Sequence, residues 1–147
     1  MSKAVLLLLA SITAASLSAQ TAPNPVKELS VSCSVSVDYQ VNNAPVEAYT
    51  KDFAVQPGAA FEDDFSTNLR AKFFNASVAR EGGNVVVSID YFSDVSVFDN
   101  VSFNTRLTMH LGQGIETTSG SNTFSSSQAA QPGNHTTNYT LTCKRVR

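Results

Sequence analysis

Tryptophan is absent from this chain, and cysteine, methionine and histidine occur twice each among 147 residues. Each shortage excludes chemistry. Neither cysteine belongs to a CxxC pair or has paired histidines beside it, so the ligand spacing of a structural zinc site is missing. With only His110 and His135 and no GxSxG turn, the chain does not assemble a serine–histidine nucleophile in sequence. Both histidines are expected as ordinary surface residues. The lack of tryptophan weighs against the aromatic platforms that sugar-processing sites commonly use. Charge is scarce too: charged residues make up 15% of the chain and the net charge is −2. Losing Lys3 with a leader would make it −3. A mildly acidic chain has no electrostatic footprint for nucleic acid, and the short basic tail Lys144-Arg145-Val146-Arg147 reads as a solvated chain end.

Long apolar runs are also missing, with one exception at the start. Lys3 precedes Ala4-Val5-Leu6-Leu7-Leu8-Leu9-Ala10, apolar character continues through Ile12, and small residues follow at Ala14, Ala15, Ser16, Ser18 and Ala19. This is the layout of a secretory signal peptide over residues 1–19, too short to span a bilayer. Residues 20–27, with Pro23 and Pro25, form an extended lead-in, and residues 28–147 are expected to form one domain. Export makes the two cysteines partners: only one intramolecular pairing exists, Cys33 to Cys143.

What is abundant is alternation. Leu29, Val31, Cys33, Val35, Val37, Tyr39 and Val41 take one face of an extended segment. Ser30, Ser32, Ser34, Ser36, Asp38 and Gln40 take the other. Period two over a dozen residues marks a strand buried on one side. Asn42-Asn43-Ala44-Pro45 turns the chain, and Val46 to Gln56 forms a second strand anchored by Tyr49, Phe53 and Val55. Phe61-Glu62-Asp63-Asp64-Phe65 reads as an acidic loop between two buried phenylalanines. It lacks the DxDxDG spacing of a calcium loop.

Residues 66–80 admit two readings. Leu69, Phe73, Ala76 and Arg80 fall at helical spacing. The favoured reading is a hairpin whose tip is Arg80-Glu81-Gly82-Gly83-Asn84 and whose return strand starts at Val85. Phe74, Ala76 and Val78 would then oppose the Val86 side of that return strand. Val101 to Leu111 is a further strand with Val101, Phe103, Thr105, Leu107, Met109 and Leu111 inward. Residues 119–133, rich in Ser, Gly, Gln and Asn, read as a long loop or hairpin tip. His135 to Val146 is the last strand, with Tyr139, Leu141 and Cys143 on one face.

Six to eight strands separated by turn signals predict an all-β, single-domain antiparallel β-sandwich, immunoglobulin-like or jelly-roll-like, with one disulfide between the first and last strands. Paired carboxylates could serve glycoside hydrolysis, but Asp63, Asp64, Asp90, Asp94 and Asp99 show no convergence in sequence. Sequons begin at Asn75, Asn100, Asn134 and Asn138. The leader reads as bacterial, and only a eukaryotic source would make Asn134 and Asn138 acceptors. In outline such a domain resembles chaperone–usher pilus subunits. Those subunits commonly pair two cysteines in the N-terminal half and end near a penultimate tyrosine. Here the second cysteine is Cys143 and the ending is Arg145-Val146-Arg147, so no residue role carries over.

The expectation is therefore a non-enzymatic exported domain, periplasmic or extracellular, that binds a protein or glycan partner of the envelope or serves as a structural piece, with no cofactor, metal, nucleic acid or membrane span. Binding specificity is expected in the segment after residue 118, at Ser119, Asn122, Phe124, Gln128 and Asn134, because loops on a rigid scaffold are free to vary. The alternatives are a pilin-like assembly subunit that pairs strand edges, and a small hydrolase or metal-dependent enzyme.

Overall fold

A computed structural model describes residues 29–96, 99–110, 114–126 and 132–146. These residues form eight strands and no helix: β1 (Ser30–Val41), β2 (Ala44–Val55), β3 (Ala60–Asp64), β4 (Lys72–Glu81), β5 (Asn84–Asp94), β6 (Asn100–Met109), β7 (Ile115–Ser126) and β8 (Gly133–Val146). They build two antiparallel four-stranded sheets, one ordered β2-β1-β8-β7 and the other β3-β4-β5-β6. Every bonded neighbour is also a neighbour in sequence except β1 and β8, so the arrangement is up-and-down, with first strand beside last. No helix among the described residues is long and apolar enough to cross a membrane.

The alternation in β1 translates directly into burial. Val31, Cys33, Val35, Val37, Tyr39 and Val41 are all buried, while Ser34 and Ser36 are exposed. A period-two side-chain pattern allows this only if the strand carries its apolar set to one side throughout. Asn42 and Asn43 both adopt positive φ (52° and 64°) and join β1 to β2. Positive φ at both central positions is the requirement of a two-residue hairpin turn of type I′, which asparagine tolerates better than most residues.

Cys33 lies directly opposite Cys143 in the β1–β8 register, and the two are disulfide-bonded. The bond thus joins neighbours within one sheet and not the two facing sheets. Such a bond is characteristic of an oxidising compartment.

The hairpin reading of residues 66–80 holds for its second part: β4 and β5 pair from Lys72↔Ser93 to Glu81↔Asn84, with Gly82 at φ 59° in the turn. The expected facing needs correction. Phe74, Ala76 and Val78 oppose Tyr91, Ile89 and Val87, whereas Val86 opposes Ala79 on the outer face. The return strand is therefore shifted one residue from the expected side, which turns every side chain over.

Two more expectations are revised. Residues 61–64 belong to strand β3, not a loop. There the alternation sends Phe61 and Asp63 toward β2 and leaves Glu62 and Asp64 outside. Residues 119–126 belong to β7, which pairs with β8 along its full length from Ile115↔Lys144 to Ser126↔Gly133. The tip of that hairpin lies outside the described residues, as do Val97, Phe98, Leu111, Gly112, Gln113 and Gln128.

In place of tryptophan, the core contains a chain of smaller rings running through the sandwich. Phe61 stacks on Phe53 (5.2 Å between centroids), Phe53 meets Phe74 (5.3 Å), Phe74 meets Tyr49 (5.6 Å), and Tyr49 meets Tyr91 (5.5 Å). Tyr91 stacks on Phe103 (5.3 Å), and Phe103 on Tyr139 (4.5 Å). Offset ring pairs at these separations each add about 0.5–1.5 kcal/mol beyond the area they bury. The chain of rings crosses from the β2/β3 side of the sandwich to the β6/β7 side.

Candidate functional site, a cleft at the open seam of the sandwich

Two sheets stacked face to face leave two seams where edge strands meet without a ladder. Here these are β2 beside β3 and β6 beside β7. Side chains close the first. The Tyr49 hydroxyl donates to Asp63 Oδ2 at 2.8 Å, and Lys51 Nζ forms an ion pair with the same oxygen at 3.0 Å. The Lys51 and Tyr49 hydrogen bonds hold the Asp63 carboxyl below its ordinary pKa. Burial, followed by the carboxylate it donates to, holds the Tyr49 phenol well above its own.

The second seam is partly open. A cleft of about 260 Å³ lies between the start of β6 and the middle of β7, with β8 behind it. Asn100, Ser102, Ser121 and Asn122 line it with polar groups, and Phe103, Thr137 and Tyr139 line it more deeply. Tyr139 is the hinge of the arrangement. It stands opposite Gly120 in the β7–β8 register, stacks on Phe103, and donates its hydroxyl to Thr105 Oγ1 at 3.2 Å. A Cβ at position 120 would lie 2.6–2.7 Å from the Tyr139 ring and hydroxyl. Glycine there is what lets the tyrosine lie back across β7 and reach the other sheet. Such cover of a strand glycine by a cross-strand aromatic also holds register. At the far end of the seam, His110 Nδ1 is 3.8 Å from Glu116 Oε1.

Of the residues singled out in sequence, Asn122 lines the cleft. Ser119 lies on the outer, exposed side of β7, one residue before Gly120. Asn134 is taken up by structure: its backbone N–H donates to Asn42 Oδ1 (3.0 Å), its carbonyl accepts from the Asn42 N–H (2.8 Å), and its Oδ1 accepts from Ser125 Oγ (2.6 Å). Phe124 is placed only as a backbone position on β7, opposite His135. Phe103 and Tyr139 are expected in sequence only as inward strand positions and Asn100 only as the start of a sequon, and Thr137 and Gly120 carry no expectation of their own there. A lone glycine in a Ser/Thr-rich stretch, with a tyrosine on the following strand, was the available signal.

His135 overturns its surface reading. It is fully buried, opposite Val41, with Nδ1 2.5 Å from the Tyr39 hydroxyl. The reason is that β8 starts two residues before it, so strand alternation carries it inward with Thr137, Tyr139 and Leu141. His110 is exposed, as expected. A second polar group inside the fold gathers on Glu47. Its carboxylate pairs with Lys72 and accepts from Ser93 Oγ at 2.6 Å and from the Tyr91 hydroxyl at 3.2 Å. Ser93 is fully buried. Burial, then the Glu47 charge, pushes the Tyr91 phenol up. These contacts join β2 to β4 and β5 and are those of a cross-sheet clamp. Among the described residues, no group of three or more His, Cys, Asp or Glu side chains converges to hold a metal ion.

No protein-family model, curated protein or solved structure matches this chain.

Proposed function

We propose that the chain is an exported, non-enzymatic binding domain of the periplasm or extracellular space, and that its ligand, an extended protein segment or a glycan, enters the β6/β7 cleft. The supporting observation is the asymmetry of the two seams. The β2/β3 seam is tied by Tyr49, Lys51 and Asp63, while the β6/β7 seam leaves amide and hydroxyl side chains around a recess floored by Phe103 and Tyr139. Convergent polar groups over an apolar floor are the usual composition of a binding site. Both faces of Phe103 are already occupied by Tyr91 and Tyr139. Recognition would therefore rest on hydrogen bonds from Asn100, Ser102 and Asn122 rather than on stacking of a sugar ring.

The test is a glycan array together with capture from the native envelope fraction, repeated with Asn100→Ala/Asn122→Ala. Loss of the captured ligand in the double variant supports the reading, and undiminished capture refutes it. Turnover of an ester, glycoside or peptide substrate that disappears in Asp90→Ala or His110→Ala would refute the non-enzymatic part.

A second reading, a subunit that assembles by strand-edge pairing, is favoured by one separate observation. β7 is a twelve-residue edge strand whose only charge is Glu116 and which holds no proline. Edges so little protected tend to accept another strand.

A further inference from the structure

We infer that β7 pairs antiparallel with the β7 of a second copy of this chain, with Gly120 on the two-fold axis, joining two sandwiches through one continuous eight-stranded sheet. The inference rests on the assembly reading above, and because Gly120, Ser121 and Asn122 also line the cleft, a second copy and a cleft ligand would meet the same stretch of β7.

The direction of the free main-chain groups follows from register. Cys33 and Cys143 are directly opposed with Cα atoms 4.1 Å apart, which marks a narrow, non-hydrogen-bonded pair. Cys143 therefore turns its N–H and C=O away from β1, toward Glu116 of β7. The Arg145 N–H donating to the Gly114 carbonyl agrees with this phase, and so does the Asn42 N–H donating to the Asn134 carbonyl. The β7–β8 register has no bulge. Hence Glu116, Thr118, Gly120, Asn122 and Phe124 bond to β8, while the odd-numbered residues from Ile115 to Ser125 aim both N–H and C=O at the free edge.

The other three edges are guarded. β2 carries Pro45, Glu47, Lys51 and Asp52, β3 has five residues of which three are acidic, and β6 places Arg106 in its second half, paired with Glu81. Proline, shortness and charge are the usual defences of an edge. β7 has none of them along Thr117-Thr118-Ser119-Gly120-Ser121-Asn122-Thr123.

The same seven residues read nearly alike in both directions about Gly120, which specifies the partner. In antiparallel self-pairing, Ser119 faces Ser121 of the other copy and Thr117 faces Thr123, both through outward-bonding positions. Thr118 faces Asn122, and the two glycines meet at the axis. The hydroxyl pairs repeat ones that β7 already makes with β8, where Thr117 and Thr142 oxygens lie 3.0 Å apart and those of Thr123 and Thr136 lie 3.1 Å apart. The lone charge, Glu116, falls opposite Phe124 and not opposite its own copy, so the two-fold arrangement carries no like-charge contact at its seam.

The experiment is sedimentation equilibrium of the secreted chain up to millimolar concentration. The expected result is a mass that doubles with concentration. Ser119→Pro and Ser121→Pro remove only edge-facing N–H groups, and should abolish the doubling while leaving the near-ultraviolet circular dichroism of the fold intact. Should proline prevent folding, the charge variants decide. Ser119→Lys/Ser121→Lys sets like charges across the seam and should raise the dimer dissociation constant about tenfold or more. Ser119→Lys/Ser121→Glu sets opposite charges there and should restore association. A monomer throughout the concentration range, association unaffected by both serine-to-lysine changes, or equal behaviour of the two charge variants would overturn the inference. Capture of a strand from a different protein, with the wild type still monomeric, would also overturn it while sparing the assembly reading.

Discussion

Removing the disulfide with Cys33→Ala/Cys143→Ala should cost most of the stability of the domain without changing its fold. The bond spans 110 residues. In the chain-entropy account, closing a loop of that length removes about 16 cal/mol/K from the unfolded ensemble, or about 5 kcal/mol at 25 °C. That is comparable to the entire stability of a marginal domain. The native state should change little. β1 and β8 are hydrogen-bonded from Ser30↔Val146 to Val41↔His135 whether or not the sulfurs are joined, and both cysteines already sit within the buried face of that ladder. The effect thus lies mainly on the unfolded chain. For urea slopes of about 1–3 kcal/mol/M, the midpoint should fall by about 2–5 M. The slope should steepen, because an unfolded chain without the loop exposes more surface. Equilibrium urea unfolding followed by far-ultraviolet circular dichroism and tyrosine emission measures both. A midpoint shift below about 0.5 M, with unchanged slope, would refute the argument.

Gly120→Ala puts a methyl group against the Tyr139 ring and should cost about 1–3 kcal/mol by overpacking. Tyr139→Phe keeps the Phe103 stack and loses only the Thr105 hydrogen bond, so it should cost about 1 kcal/mol. Thermal melts of the two variants separate these effects. Tyr39→Phe removes the hydroxyl beside the fully buried His135 and should destabilise by about 1–3 kcal/mol. Acid should weaken the β2/β3 seam. Asp63 has a folded pKa below its unfolded value because of Lys51 and then Tyr49, so its contribution is complete above about pH 4 and is lost as pH falls through the folded value. Asp63→Asn should flatten that acid limb of a stability-versus-pH curve. At the alkaline end, the raised Tyr49 and Tyr91 pKa values give stability present below about pH 10 and lost as pH rises beyond it. A double phenylalanine variant should shrink that loss to the share of Tyr39, whose phenol is likewise pushed up by burial.

How much of this was legible in the sequence depends on what each strand faces. β1 was readable because one side is core and the other solvent, so Val31 through Val41 and Ser32 through Ser36 separate cleanly. β6 and β8 follow the same logic. β7 was not, because it is an edge strand over an open seam. Its inner positions Thr118 and Gly120 are half-buried and its outer positions Thr117 and Ser119 exposed, so nothing demands apolar residues on either side. A two-sided polar strand has the composition of a loop. β3 was hidden by its acids, since Asp63 points inward but is satisfied there by Lys51 and Tyr49. The strand order, the depth of His135 and the Glu47 clamp depend on which strands lie side by side, and no local pattern carries that. The disulfide pairing needed only a count of two cysteines, while its position between adjacent strands needed the register.

The register and the bare edge of β7 are tested together by amide hydrogen exchange, residue by residue, on the dilute and the concentrated protein. The expected result is alternation in dilute solution: Thr118, Gly120 and Asn122 protected by β8, and Thr117, Ser119 and Ser121 exchanging rapidly, with the second set slowing as concentration rises. Uniform protection, uniform exposure or the opposite alternation would contradict the placement of β7 and with it the account of both the cleft and the edge.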